Sequence, residues 1–317
     1  MNRKVNTFFV GQPRCGTTSL YFYLKDNPNI YLPSQKQLYH FEKDYNEYRK
    51  FSGVPKHKLK NYYHYNIEDY LSRYNGVTEE KVIAEITPSY LFSEVAANEI
   101  YKYNSEAKII AIFRSPVTYI ESIHKLLFLN KIELIPNIID AVNASVNRRK
   151  EHFEQSIYEK KEIANYYERI NYTDQLTRYT KLFKIENIKI IFYEDFKNNN
   201  QIVLDELSEF LSIDKITITE KLEVNSSRKS RIGFIMSILN TKIVNIISFA
   251  IPTTLRRFLG GLIRKVGTVK SLSTMRLDEK EFLIKEVETE VNRFSSLLLK
   301  LGVIATKDEL LHKWKLK

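Results

Sequence analysis

Residues 7–24 read TFFVGQPRCGTTSLYFYL and predict a strand, a tight loop and a helix in succession. The run Thr7–Val10 is apolar and has the length of a buried strand. Glycines at 11 and 16 bound the loop, and an apolar helical pattern follows the threonines at 17 and 18. Free backbone N–H groups and the positive end of the helix converge at such a loop. It therefore predicts an anion-binding site.

The spacing of Gly11 and Gly16 resembles a Walker A loop, but its cation stands elsewhere. A Walker A loop has lysine directly after its second glycine, where this chain has Thr17. Its cation, Arg14, comes three residues earlier than that position. The loop therefore indicates a phosphate-bearing ligand that is held differently from a nucleoside triphosphate. From these residues alone, a plain turn with threonine and serine capping the helix is an alternative.

The composition predicts a single α/β domain over residues 1–317, with a helical, basic part from about residue 232. The 317 residues carry a formal charge of +11, which favours anionic ligands, although a solvated lysine-rich surface gives the same charge. Basic and aromatic residues do not repeat together, so we expect a nucleotide-sized ligand and no nucleic acid. The single cysteine excludes an intrachain disulfide and favours a reducing, cytoplasmic compartment.

The only membrane candidate in the sequence is the apolar segment 232–251, with its basic flank to residue 266. Asn240, Lys242 and Asn245 interrupt the segment, and polar residues are costly in a bilayer. A buried or interfacial helix is the better interpretation, and peripheral membrane contact through 232–266 stays open.

Apolar runs of strand length alternate with helical patterns along the chain. The predicted strands after the first are KVIAEI (81–86), KIIAIF (108–113) and IKIIFY (188–193). The predicted helices cover 93–103, 119–129, 138–167, 172–183 and 202–211. This order predicts a parallel β-sheet flanked by helices, with ligands at the carboxyl ends of the strands. Arg14, Arg114 and Glu194 all fall at those ends.

A second phosphate-binding element follows the strand at 108–113, within IIAIFRSPVTYIESIHK (109–125). Arg114 directly follows the strand, and Ser122 lies in the next predicted helix. A guanidinium offers a planar fork for phosphate, and a serine hydroxyl adds a donor. Two such loops suit a nucleotide that is phosphorylated at two places.

Together these motifs resemble the sulfotransferases that use 3′-phosphoadenosine 5′-phosphosulfate (PAPS). The chain is most similar to the bacterial branch, which is related to the Golgi carbohydrate and heparan sulfate enzymes. GQPRCGTTSL (11–20) resembles the 5′-phosphosulfate loop, and FRSPVTYIESIHK (113–125) resembles the 3′-phosphate motif. Weaker similarities follow at TPSYL (87–91), FYEDF (192–196), VNSSRKSR (224–231) and the C-terminal stretch 277–314. The resemblance implies a P-loop-kinase-like fold and sulfuryl transfer from PAPS, without a metal.

The resemblance also implies roles for particular residues. Arg14 takes the position of a catalytic lysine and stabilises charge on the leaving phosphate, while Lys36 positions the sulfate. The implied nucleotide-binding residues are Arg14, Cys15, Gly16, Thr17, Thr18, Ser19, Arg114 and Ser122, with Arg228 and Arg231 from a late loop. For the late loop, a merely solvated basic segment is the alternative.

The general base is where the chain departs from the family pattern. Many relatives carry K-E-x-x-[FY]-F, with the glutamate as base, whereas this chain has KQLYHF at 36–41. Gln37 cannot accept a proton usefully. His40 is the favoured substitute, with Glu85 or Glu42 as alternatives, and a weak or inactive protein is the third possibility. A P-loop kinase is a further alternative, although Thr17 replaces the lysine that it needs.

The acceptor is predicted only as a class. Residues 42–80 and 130–175 are aromatic and basic, and we expect them to line its site. They suit a glycan or a glycolipid head group, whose hydroxyl or amine would accept the sulfuryl group. The sequence does not indicate an oligomeric state.

Overall fold

A computed structural model describes residues 4–44, 66–129, 133–151, 166–218 and 275–317. Within them, five parallel strands form one sheet in the order β2-β3-β1-β4-β5. The strands are β1 (Thr7–Gly11), β2 (Ile30–Tyr31), β3 (Val82–Ile86), β4 (Lys108–Phe113) and β5 (Ile188–Phe192). The predicted parallel sheet is confirmed. The sequence does not predict β2, because two residues are too short to show a pattern.

Helices cover the sheet and complete the predicted α/β fold. They are α1 (Thr17–Leu24), α2 (Ile67–Ser72), α3 (Ala96–Tyr103), α4 (Pro116–Leu129), α5 (Ile138–Glu151), α6 (Tyr166–Arg169), α7 (Tyr172–Thr180), α8 (Tyr193–Asn198), α9 (Asn200–Leu211), α10 (Leu277–Lys300) and α11 (Lys307–Trp314). Single 3₁₀ turns cover Pro88–Leu91 and Ile185–Asn187.

Some helix boundaries differ from the prediction for local reasons. Helix α4 begins at Pro116, earlier than the apolar pattern indicates, because proline suits the first turn of a helix. Helix α3 begins at Ala96, and the hydroxyl of Ser93 accepts a hydrogen bond from the Ala96 N–H at 3.1 Å. The predicted helix 138–167 appears as α5 and α6, and residues 152–165 between them lie outside the described residues.

The central strands are buried on both faces, and this positions the loops that follow them. All five residues of β1 are buried, as are all residues of β4 after Lys108. A Cβ atom on Gly11 would lie 2.8 Å from the carbonyl oxygen of Ile112. Glycine therefore lets β1 and β4 pair up to their carboxyl ends. The loop after β1 consequently lies beside Arg114, which follows β4.

An aromatic cluster from the C-terminal helices packs beneath this edge of the sheet. The rings of Phe294 and Trp314 are parallel with centroids 5.9 Å apart, and Phe113 lies 4.7 Å from Phe294. Tyr172 contacts Phe113 at 5.1 Å. Because Phe113 directly precedes Arg114, the cluster supports the carboxyl end of β4.

The described residues contain no helix long and apolar enough to cross a membrane. The segment 232–266, for which peripheral membrane contact is predicted, lies outside them. Because residues 219–274 are not described, the interpretation of 1–317 as one domain stays a prediction.

Candidate active site

The loop between β1 and α1 is held in a left-handed conformation at two positions. Arg14 has φ 71° and Gly16 has φ 78°. A Cβ atom on Gly16 would lie 3.2–3.3 Å from the rings of Phe196 and Tyr193 on α8. The close packing against α8 therefore favours glycine at position 16. The same packing fixes where α1 begins.

The N-terminus of α1 has the features of an anion site. Its N-cap is Gly16, so no side chain caps the first N–H groups, and its first turn contains no acidic residue. The alternative of a turn capped by threonine or serine is therefore not what the structure shows. Lys36 donates from Nζ to the hydroxyls of Thr17 at 3.2 Å and Thr18 at 2.9 Å. An ammonium and two hydroxyls thus lie beside the N-terminal turn of the helix, where backbone donors favour an anion.

The two predicted phosphate-binding elements are in direct contact. Arg14 Nε donates to Ser122 Oγ at 3.1 Å, and an Arg114 Nη donates to the carbonyl oxygen of Arg14 at 3.0 Å. Arg114 Nε also donates to Thr118 Oγ1 at 3.0 Å, and its guanidinium lies 4.7 Å from the centre of the Tyr193 ring. The fold therefore brings together two arginines that are 100 residues apart in the chain.

The surroundings of Lys36 lower the pKa of its amine. It is half-buried between the threonines and its own loop, and burial lowers its pKa to about 8. A bound anion would oppose this effect, because negative charge favours the protonated amine.

Cys15 does not have the environment of a nucleophile. Its side chain is 1% exposed, and burial raises the pKa of the thiol to about 12, since Arg14 and Arg114 offset only part of the desolvation. The reactive form of cysteine is the thiolate, which is scarce at neutral pH with such a pKa. The part of Cys15 that remains for a ligand is its backbone N–H.

Glu194 is a residue at this edge for which sequence reasoning indicated no role. It accepts a hydrogen bond from the Ser115 N–H at 3.0 Å, and burial raises the pKa of its carboxyl. Oε2 is buried and has no hydrogen-bond partner among the described residues. Glu194 thus holds the start of α4, which carries Ser122. In the sequence, its position just after a predicted strand is the feature that could have indicated a role at this edge of the sheet.

The loop at 36–41 has an unusual backbone where the family pattern has its base. Gln37 has φ 65° and Tyr39 has φ 59°, both in a region that residues other than glycine seldom adopt. The Tyr39 hydroxyl donates to Oε1 of Gln37. Left-handed residues of this kind are enriched in active sites, where the surrounding structure holds them in place.

The candidate bases lie behind this loop rather than at its surface. The imidazole of His40 is 8% exposed and stacks on the Tyr70 ring, with centroids 4.6 Å apart. Glu85 is 1% exposed, and Glu42 is fully buried. Both oxygens of Glu85 accept hydrogen bonds from hydroxyls, and burial raises the pKa of its carboxyl. Of these residues, His40 retains some access to solvent. Its role as base stays a prediction.

Several predicted residues lie outside the described part of the chain. They are Arg228 and Arg231, together with 45–65, 130–132 and 152–165 from the segments expected to line the acceptor site. Within the described ranges, no group of three His, Cys, Asp or Glu side chains is arranged to hold a metal ion.

The sequence is similar to those of known sulfotransferases. Residues 4–240 match the family model described as "Sulfotransferase domain". The membrane-associated sulfotransferase kil1 of Dictyostelium discoideum is 23% identical, over 68% of this chain and 57% of the relative. The chain thus spans little more than half the length of that curated relative.

A solved structure has the same overall fold. The sulfotransferase from Alicyclobacillus acidocaldarius superposes with a TM-score of 0.66 at 23% identity, covering 93% of this chain and 96% of that chain. At this identity, the likeness concerns the fold. The family match covers most of the chain and contains both predicted phosphate-binding elements. The chain belongs to the sulfotransferase family.

Proposed function

We propose that the protein transfers a sulfuryl group from PAPS to a hydroxyl or amine of a carbohydrate or related acceptor. The observation that carries the proposal is the direct contact between the two phosphate-binding elements, Arg14 with Ser122 and Arg114 with the Arg14 carbonyl. Their donors are cationic or hydroxylic and suit a nucleotide with a 5′-phosphosulfate and a 3′-phosphate. PAPS supplies an activated sulfuryl group, whose departure leaves charge on the 5′-phosphate.

The residues near α1 would stabilise that charge. A guanidinium is a permanent cation, so Arg14 would act by electrostatic stabilisation and not as an acid. Lys36, Thr17 and Thr18 lie beside the free N–H groups of the first turn, where an anion is favoured. Arg114 and Ser122 would bind the 3′-phosphate and so discriminate against ATP.

His40 is the proposed acceptor of the proton that the hydroxyl or amine loses. Histidine is the side chain that most often transfers protons near neutral pH. Stacking on Tyr70 fixes the plane of the imidazole. Gln37, which occupies the position of the family's glutamate, keeps its side-chain oxygen on the Tyr39 hydroxyl.

Calorimetric titration with adenosine 3′,5′-bisphosphate (PAP), 5′-AMP and ATP tests the nucleotide part of the proposal. We expect PAP to bind at least about tenfold more tightly than either competitor, since a charge-assisted pair is worth about 1.5–3 kcal/mol. Arg114→Ala should remove most of that preference, whereas Thr118→Val, which removes the hydroxyl that accepts from Arg114 Nε but keeps the guanidinium, should retain most of it. Equal binding of PAP and ATP by the unaltered protein would contradict the proposal.

Transfer from ³⁵S-labelled PAPS to a panel of glycans, glycolipids and simple alcohols tests the reaction and its acceptor. A non-catalytic nucleotide-binding protein is the second candidate, which Gln37 favours because it replaces the expected carboxylate. Tight PAP binding without transfer to any member of the panel would support that candidate.

We also propose a cytoplasmic protein with peripheral membrane contact through 232–266. The support is the basic, amphipathic sequence of that segment and the description of the Dictyostelium relative as membrane-associated. Co-sedimentation of the full chain with vesicles of anionic lipid, compared with neutral vesicles, tests this contact.

A further inference from the structure

We propose that Glu85 is a positioning residue that holds the loop 36–41 in place through the hydroxyls of Thr87 and Tyr90. Glu85 lies at the carboxyl end of β3 and is 1% exposed. Its Oε1 accepts hydrogen bonds from Thr87 Oγ1 at 2.6 Å and from the Tyr90 hydroxyl at 2.7 Å. Its Oε2 accepts from the Tyr70 hydroxyl at 2.8 Å.

The same two hydroxyls hold the backbone of the loop. Thr87 Oγ1 accepts from the N–H of Leu38 at 3.2 Å, and the Tyr90 hydroxyl accepts from the N–H of Phe41 at 3.2 Å. A hydroxyl has one proton to donate and lone pairs to accept with. An ionised carboxylate only accepts hydrogen bonds, so both hydroxyls donate to Glu85. The lone pairs of the two hydroxyl oxygens are then available to accept from the N–H groups of the loop. Glu85 thereby sets the direction of the hydrogen bonds that the two hydroxyls make with the loop.

The loop needs this support because of its backbone. Its two left-handed residues, Gln37 and Tyr39, lie between the two anchored N–H groups or directly beside them. Lys36, at the start of the loop, reaches the hydroxyls of Thr17 and Thr18. If the loop relaxes, Lys36 leaves the N-terminus of α1. The buried carboxylate therefore acts on the nucleotide site through the backbone.

Hydrogen–deuterium exchange of the ligand-free protein tests the inference without any assumption about the nucleotide. In Glu85→Ala and in Thr87→Val, peptides covering residues 36–44 should exchange at least about tenfold faster, and Tyr90→Phe should act in the same way. The matched control is Tyr70→Phe, which removes a hydrogen bond from Glu85 but none from the loop. Thr87→Ser, which keeps the hydroxyl, should resemble the unaltered protein. Unchanged exchange in both Thr87→Val and Tyr90→Phe, or equally faster exchange in Tyr70→Phe, would overturn the inference.

A second measurement follows Lys36 and rests on the proposed function, because it uses PAP as the probe. Lys36→Met should weaken PAP binding about tenfold in the unaltered protein and in Tyr70→Phe, but less than about threefold in Thr87→Val and in Glu85→Ala. Equal weakening in all backgrounds would overturn the inference. Absence of PAP binding would instead contradict the proposed function, and the exchange experiment would still decide the role of Glu85.

Discussion

The two sides of the candidate site are built from different chemistry. On the side proposed to bind the nucleotide, called the nucleotide side below, Arg14, Arg114 and Lys36 are exposed or half-buried cations near the start of α1. On the side proposed to take the acceptor's proton, called the acceptor side below, His40 and Glu85 are buried among tyrosines and phenylalanines, and their contacts are rings and hydroxyls. The first side is suited to holding a highly charged ligand, and the second to holding a loop in one conformation.

This difference shows why phosphate binding is easier to identify from sequence than proton transfer. Phosphate binding uses residue types that can be identified individually in a sequence. An arginine beside a glycine-bounded helix N-terminus indicates phosphate more than most other ligands. Proton transfer uses a residue whose environment decides its role, because the same histidine can be packing or base. The nucleotide side therefore depends on individual charges, and the acceptor side on the shape of a loop.

Arg14→Ala should have the largest effect of the changes to the nucleotide side. We expect sulfuryl transfer to fall about 1,000-fold, the range for losing a donor that stabilises transition-state charge. PAP affinity should fall far less, because the other donors remain. Arg14→Lys is the matched control, since it keeps the charge and should lose much less activity. A fall of less than about threefold for Arg14→Ala, measured with labelled PAPS, would remove Arg14 from the mechanism.

His40→Asn tests the proposed general base on the acceptor side. We expect transfer to fall about 100-fold, at the lower end of the range for a general base, with no change in PAP affinity. Gln37→Glu completes the comparison. If His40 is the base, adding a carboxylate there should change the rate by less than about threefold.

The fold was more predictable from sequence than the site. Residues 109–113 are uninterrupted and apolar, and the run at 188–193 is interrupted by Lys189, so their place in a parallel sheet could be inferred without knowing what lies beside them. The contact between Arg14 and Ser122 could not be inferred in this way, because it depends on how closely Gly11 lets two strands approach. The surroundings of Glu85 could not be inferred either, since its hydroxyl partners are Thr87 and Tyr90, which follow β3, and Tyr70, which lies in α2.

The pH dependence of PAP binding should sharpen the distinction between the two sides. In the free protein, the pKa of Lys36 is about 8, because the amine is partly buried. A bound phosphate would raise the pKa of Lys36. At a pH where the free amine is partly deprotonated, binding would therefore be accompanied by proton uptake at Lys36. Affinity should therefore fall, by at most about tenfold per pH unit, as pH rises above 8.

Titrations at pH 7, 8 and 9 in buffers of different ionisation enthalpy would measure both the affinity and the proton uptake. Lys36→Met is the control variant and should bind PAP weakly, with no slope over this range. His40→Asn should keep the slope, because its side chain belongs to the acceptor side. A slope that survives Lys36→Met would assign the titration to another group.

Cys15→Ala should have the smallest effect, although Cys15 lies within the phosphate-binding loop. The thiol is buried with a pKa of about 12, so it carries no charge at neutral pH and offers the nucleotide only its backbone N–H. Alanine keeps that N–H and removes one buried atom. We expect transfer and PAP affinity to change by less than about threefold, while the melting temperature falls slightly. Alkylation of the folded protein by iodoacetamide should be slow for the same reason. Rapid alkylation, or a large loss of transfer in Cys15→Ala with unchanged PAP binding, would mean that the thiol contacts the reacting atoms. The loop would then act by more than charge and backbone donors.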